Sequence, residues 1–120
     1  MLSKKRFLAV LDIIGDMFPE AHGELDAKTP FQLLIAVILS AQATDKGVNK
    51  ATPALFAAYP DSKQLAQANL SEVEALIKTI GLYRSKAKNI IKTAMMIEEE
   101  FGGEIPRDKQ LLQTLPGVGR

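Results

Sequence analysis

The chain has no cysteine and no tryptophan, a single histidine, and almost no charge bias: fifteen basic residues face fourteen acidic ones in 120, a net charge of +1. Without cysteine, these residues can form no disulfide, thiolate nucleophile, zinc–thiolate site or iron–sulfur ligation. His22 lies in a polar stretch with no partner nearby and reads as solvated. No spacing of metal-ligating side chains appears, and no glycine-rich phosphate loop follows a strand pattern. The balanced charge gives no general polyanion signal, so a nucleic-acid partner would require basic residues concentrated locally. The longest apolar-leaning run, from Phe31 to Ala43, falls short of the roughly 20 residues that span a bilayer. The basic start Met1-Leu2-Ser3-Lys4-Lys5-Arg6 raises the question of a signal peptide. Asp12 and Asp16 interrupt the apolar residues behind it, and no small-residue cleavage site follows. The expectation is a cytoplasmic protein.

What is present suits one compact domain: 47% hydrophobic and 24% charged residues are ordinary for a globular chain that buries a core. Helical spacing recurs throughout, no useful alternating strand pattern appears, and the expected class is all-α. A leading helix from Lys4 to Phe18 is stopped by Pro19 and followed by a loop to Lys28. Thr29-Pro30-Phe31-Gln32 is a helix entry: Thr29 caps, Pro30 takes the first helical position and Gln32 stands at the capping-box position. The helix behind it, to about Ser40, is apolar nearly all round and should be the central buried element. Thr44-Asp45 starts a helix expected to run to about Ala51, with Pro53 restarting a short run through Tyr59. A small helix is expected over Asp61–Ala68. Another starts on the capping box Ser71/Glu74 and stops at Gly81, its inner stripe being Val73, Leu76, Ile77 and Ile80. A longer one runs from about Arg84 to Phe101, with Ala87, Ile90, Ile91, Ala94, Met95 and Ile97 on or near the core and Gly102-Gly103 as its stop. Glu98-Glu99-Glu100 reads as a solvated helix end. Asp108 caps a last short helix, Lys109 to Thr114.

Three segments carry possible chemistry. Leu115-Pro116-Gly117-Val118-Gly119 places two glycines around a valine after a capped helix. Its bare backbone amides suit an anion, as in the hairpin of a helix-hairpin-helix that grips a DNA phosphate without reading sequence. The second segment, Ile80-Gly81-Leu82-Tyr83-Arg84-Ser85-Lys86-Ala87-Lys88 with Lys92 a turn later, sets an apolar residue and an aromatic before a run of bases. Leu82 could wedge between bases with Arg84, Lys86 and Lys88 near phosphates. On these residues alone, Leu82 and Tyr83 packed under the turn is the simpler reading. In the third, Ser40-Ala41-Gln42-Ala43-Thr44, small neighbours leave Gln42 free to reach base edges, although an isolated loop glutamine is usually just solvated. Asp45 reads as a first-turn helix charge.

Together these segments resemble the endonuclease III family of DNA glycosylase/abasic-site lyases. The resemblance rests on Pro30-Phe31-Gln32-Leu33-Leu34-Ile35-Ala36-Val37, Leu39 to Asp45, Val48-Asn49-Lys50, Ile80-Gly81-Leu82-Tyr83, Ser85-Lys86-Ala87, Asn89-Ile90-Ile91 and Leu115 to Arg120, in the family's order. It covers about Pro30 to the end, whereas residues 1–29 match only as a helix and loop.

The resemblance implies a truncated helix-hairpin-helix glycosylase fold, with 1–28 packing against a C-terminal region and 29–120 forming a DNA-binding domain that ends in the hairpin. Residues 1–25 are accordingly expected to be loose and the chain marginally stable. It implies base excision repair: oxidised pyrimidines are removed from double-stranded DNA and the abasic strand is cut by β-elimination. It also reverses the simpler readings above: Gln42 and Leu82 would fill the space a flipped base leaves. Leu115, Gly117, Val118, Gly119 and Arg120 would hold the lesion strand, and hairpin carbonyls a monovalent cation. The family's lysine nucleophile is expected immediately after Arg120, the assisting aspartate further on, and a 4Fe–4S cluster on four later cysteines. No catalytic residue is therefore assigned within the chain, which is expected to be inert alone. The expected state is a monomer, nucleoid-associated if bacterial. Two other readings stay open: an adenine-mispair glycosylase relative, and a non-catalytic helix-hairpin-helix module.

Overall fold

The computed structural model describes residues 29–40, 45–103 and 110; the leading segment 1–28 and the last ten residues lie outside them. The described part is helical: α1 (Pro30–Ser40), α2 (Asp45–Ala58), α3 (Ser62–Ala66), α4 (Leu70–Leu76) and α5 (Tyr83–Glu100), with no strand among these residues. No helix among them is long and apolar enough to cross a membrane.

The apolarity of α1 places it where expected. From Phe31 to Leu39 every residue is buried, and α2 and α5 pack against it. Its entry is the expected cap: Thr29 Oγ1 accepts from the Gln32 amide at 3.1 Å. The Gln32 side chain also donates to the Pro60 carbonyl over 3.4 Å, which ties the start of α1 to the loop behind α2.

The expected break at Pro53 does not occur: α2 runs through it. Proline removes the amide that would donate to the Asn49 carbonyl and sets its ring against that carbonyl. Val48, Ala51, Thr52 and Leu55 are all buried, a stripe at i, i+3, i+4 and i+7 that holds both sides of Pro53 to one core. Burial of that stripe outweighs the proline penalty of about 3 kcal/mol.

Asp61 caps α3 by accepting from the Gln64 amide at 2.9 Å. The cap of α4 is Asn69, which accepts from the Glu72 amide at 3.2 Å, so the helix starts two residues before the expected Ser71. It also ends earlier, at Leu76, with Ile77 as C-cap. The chain then turns with Ile77 and Ile80 both buried. Keeping these two isoleucines inward, rather than the conformational freedom of Gly81, decides where α4 stops.

The long helix α5 packs against α1, α3 and α4. Its buried residues are Lys86, Ala87, Ile90, Thr93, Ala94 and Ile97, a stripe that closes the core from the far side. Met95, expected near that face, is 41% exposed: it stands about 160° around the helix from Ile97 and Ile91 bounds the face instead. The glycine stop holds. Gly102 and Gly103 both take positive φ, and the Gly103 amide folds back on the Ile97 carbonyl at 2.9 Å. Glu98, expected to be solvated, accepts from the Ser62 hydroxyl over 2.5 Å and joins α3 to the end of α5. Glu99 and Glu100 are exposed.

Candidate nucleic-acid interface

The turn between α4 and α5 is where backbone and exposure depart from the ordinary. Leu82 has φ 61° and ψ 32°, the left-handed region, and is the one non-glycine residue at positive φ among the described residues. That conformation costs an L-residue roughly 1–2 kcal/mol. It persists because the chain is held on either side: Ile80, two residues before, is buried and Tyr83, directly after, packs against the core. The Leu82 carbonyl then accepts the first α5 bond, from the Lys86 amide at 3.0 Å. With its flanks fixed, the Leu82 side chain is thrown outward and is 61% exposed. The two halves of the simpler sequence reading therefore separate: Tyr83 does pack beneath the turn, while Leu82 does not. No side chain caps this helix end, and its first turn holds no acid.

The cations of the segment also separate. Arg84 is exposed, with its guanidinium 5.5 Å from the centre of the Tyr83 ring, close enough for the ring face to hold it. Lys88 is exposed as well. Lys86, grouped with them as a phosphate contact, is not at the surface: it is 4% exposed and its Nζ donates to the Leu39 carbonyl at 2.9 Å. Two residues along a helix turn about 200°, which carries Lys86 away from Arg84 and Lys88 and onto the face of Ala87 and Ile90. There it meets one of the carbonyls that the last turn of α1 leaves without a helical partner. Burial pushes its ammonium below the usual lysine pKa. The signal was legible in the spacing 86, 90, 93, 97, which puts a lysine on the core stripe.

Lys86 thereby joins the start of α5 to the end of α1. Gln42 lies outside the described residues. Leu115, Gly117, Val118, Gly119 and Arg120 also lie outside the described residues. Among the described residues no group of three acidic, histidine or cysteine side chains could hold a metal.

Residues 35–118 match the family model of the HhH-GPD superfamily base excision DNA repair proteins. The chain is 52% identical to endonuclease III of Bacillus subtilis over 120 residues, which is all of this chain and 55% of that protein. It is 45% identical to endonuclease III of Escherichia coli over 119 residues, 99% of this chain and 56% of that one. A solved structure of a trapped endonuclease III–DNA covalent intermediate superposes with a TM-score of 0.79 at 49% identity, covering all of this chain and 56% of the other. The chain thus spans about half the length of the curated relatives it matches.

Proposed function

The chain belongs to the HhH-GPD superfamily of base excision DNA repair proteins, and from that premise we propose that it is the lesion-gripping part of an endonuclease III-type DNA glycosylase and abasic-site lyase. Its partner is double-stranded DNA carrying an oxidised pyrimidine or an abasic site. The unit that does this is residues 29–120, with 1–28 as a leading helix and loop, and it acts as a monomer.

A damaged base must leave the stack before its glycosidic bond can be reached, at a cost of a few kcal/mol that is smallest for damaged or mispaired bases. Something apolar must fill the gap, or the helix closes again. The observation that carries the proposal is Leu82: strained, 61% exposed, and at the head of α5. A large apolar side chain held outward by a costly backbone conformation is suited to insertion and contributes little to the core. Gln42 joins Leu82 in filling the vacated space. Leu115 and the amides of Gly117, Val118 and Gly119, with Arg120, hold the lesion-strand phosphate. Arg84 and Lys88 contact flanking phosphates.

The chemical step belongs to a lysine expected after Arg120. The 120 residues contain no cysteine and so supply no ligand to the iron–sulfur cluster expected in the full-length parent.

The test is binding to two duplexes, one undamaged and one holding a stable tetrahydrofuran abasic analogue, across a range of salt. Tighter binding to the abasic duplex is expected, with the preference reduced about tenfold or more in Leu82→Ala, since fully burying a leucine side chain is worth roughly 1.5–3 kcal/mol. Equal affinity for the two duplexes in both proteins would sink the proposal.

A further inference from the structure

The outer face of α5 continues the pair Arg84 and Lys88 beyond the turn that presents Leu82. Arg84, Lys88 and Lys92 are all exposed and follow one another at i, i+4 and i+8. Each step turns only about 40° around the helix, so the three cations form one ridge about 12 Å long. The stretch from Tyr83 to Lys92 contains no acidic residue, and the acids of α5 are confined to Glu98, Glu99 and Glu100 at its other end.

This arrangement works against the helix itself. Like charges at i, i+4 repel, and the ridge holds two such pairs. Arg84 stands in the first turn, where the helix macrodipole is already positive, and the glutamates stand in the last, where it is negative. Helix stability therefore does not account for the pattern. Nor does partnering among the described residues: the Lys86 ammonium is drawn inward to Leu39, while Arg84, Lys88 and Lys92 stay on the surface. Arg84 is further held by its stack on Tyr83, directly after the exposed Leu82.

We infer that Arg84, Lys88 and Lys92 form a phosphate track that engages the duplex backbone independently of any lesion. Along one strand the charges recur about every 3.4 Å of helix axis, so a 12 Å ridge spans three to four phosphates. A contact of this kind carries no sequence information, positions the protein, and lets it bind undamaged duplex while Leu82 probes for a weakened pair. The inference rests on the proposed DNA reading and adds to it Lys92 and a role on intact DNA.

The experiment measures affinity of the 120-residue chain for an undamaged duplex as a function of salt, in wild type and in Arg84→Gln, Lys88→Gln and Lys92→Gln. Lys63→Gln serves as an equal change of net charge at an exposed residue of α3, a helix that packs against α5. Each ridge substitution is expected to lower the slope of log K against log salt by about 0.9, and Lys63→Gln to leave it unchanged. Lys88→Gln, which removes both repulsions, is expected to raise Tm by roughly 1–5 °C. Wild-type slopes in all three ridge variants, or an equal loss in Lys63→Gln, overturn the track. In the first case an abasic preference that still depends on Leu82 leaves the repair reading standing. If the wild-type chain binds no duplex at all, that reading fails and the track falls with it.

Discussion

The Lys86 ammonium donates to the carbonyl of Leu39 across 47 residues of sequence, at 2.9 Å and almost out of solvent. It fastens the first turn of α5 to the last turn of α1. Two effects of opposite sign meet there: the hydrogen bond satisfies a buried carbonyl, and burial disfavours the charge. Lys86→Met keeps the aliphatic stem, removes both, and leaves the carbonyl without this donor. A net loss of about 1 kcal/mol is expected, read from urea denaturation. The pH dependence separates the two effects. Burial lowers the folded-state pKa below the ordinary 10.5, so between those two values the unfolded chain binds more protons. The destabilising contribution of burial is therefore full below the folded pKa and relieved as pH rises toward 10.5. Lys86→Met should flatten that rise; an unchanged pH profile would contradict the buried ammonium. Because Lys86 does not reach the surface, the same variant should keep the wild-type salt slope for duplex binding.

Leu82 should show stability and binding moving in opposite directions. Glycine adopts its left-handed backbone freely, and a side chain that is 61% exposed contributes little to the core. Leu82→Gly is expected to match or exceed wild-type stability, by up to about 1 kcal/mol, while losing the preference for an abasic duplex. Thermal denaturation and the two-duplex binding assay check the pair. A clear loss of stability would mean that Leu82 packs inward.

The two glycines after α5 are not equivalent. A Cβ on Gly102 would meet open space, whereas one on Gly103 would stand 3.0 Å from Glu98 Oε2. Both residues take positive φ, so alanine is strained at each by roughly 1 kcal/mol. At Gly103 the new methyl must also displace the carboxylate that accepts from Ser62. Gly103→Ala should therefore cost more than Gly102→Ala, by about another 1 kcal/mol. The excess should largely disappear in a Ser62→Ala background, as a double-mutant cycle would show.

Much of this was legible in the sequence, for reasons visible at particular residues. The all-round apolarity of α1 and the Thr29 cap determine a central buried helix before any contact is known, and Gly102-Gly103 ends α5 where a positive φ is needed. The misreadings come from weighing local signals against a core that local reasoning does not see. Pro53 reads as a break, but Val48 and Leu55 hold one stripe across it. Ser71 reads as a cap, but Asn69 serves while Val73 and Ile77 stay buried. Lys86 reads as one of three surface bases, and only its coincidence with the stripe of Ile90 and Ile97 turns it inward. Leu82 is the reverse: propensity favours a packed leucine, and the constraint from Ile80 and Tyr83 on either side throws it out.

A lysine that forms a Schiff base with the opened abasic sugar needs both a depressed pKa and a free path to the sugar carbon. Among the described residues, Lys86 has the first, through burial, and lacks the second, since its Nζ is enclosed and bonded to Leu39. Arg120 cannot serve, because a guanidinium does not lose its proton in a protein. Because the nucleophilic lysine is expected after Arg120, the polypeptide from Met1 to Arg120 is expected to give no covalent adduct when mixed with abasic duplex and borohydride, even where it binds that duplex. A polypeptide extended by the lysine and downstream segments of the endonuclease III family should give one. A trapped adduct on the 120-residue chain would place a nucleophile among its own lysines. Mapping the cross-linked peptide would then show whether Lys86 leaves its buried site when DNA is bound.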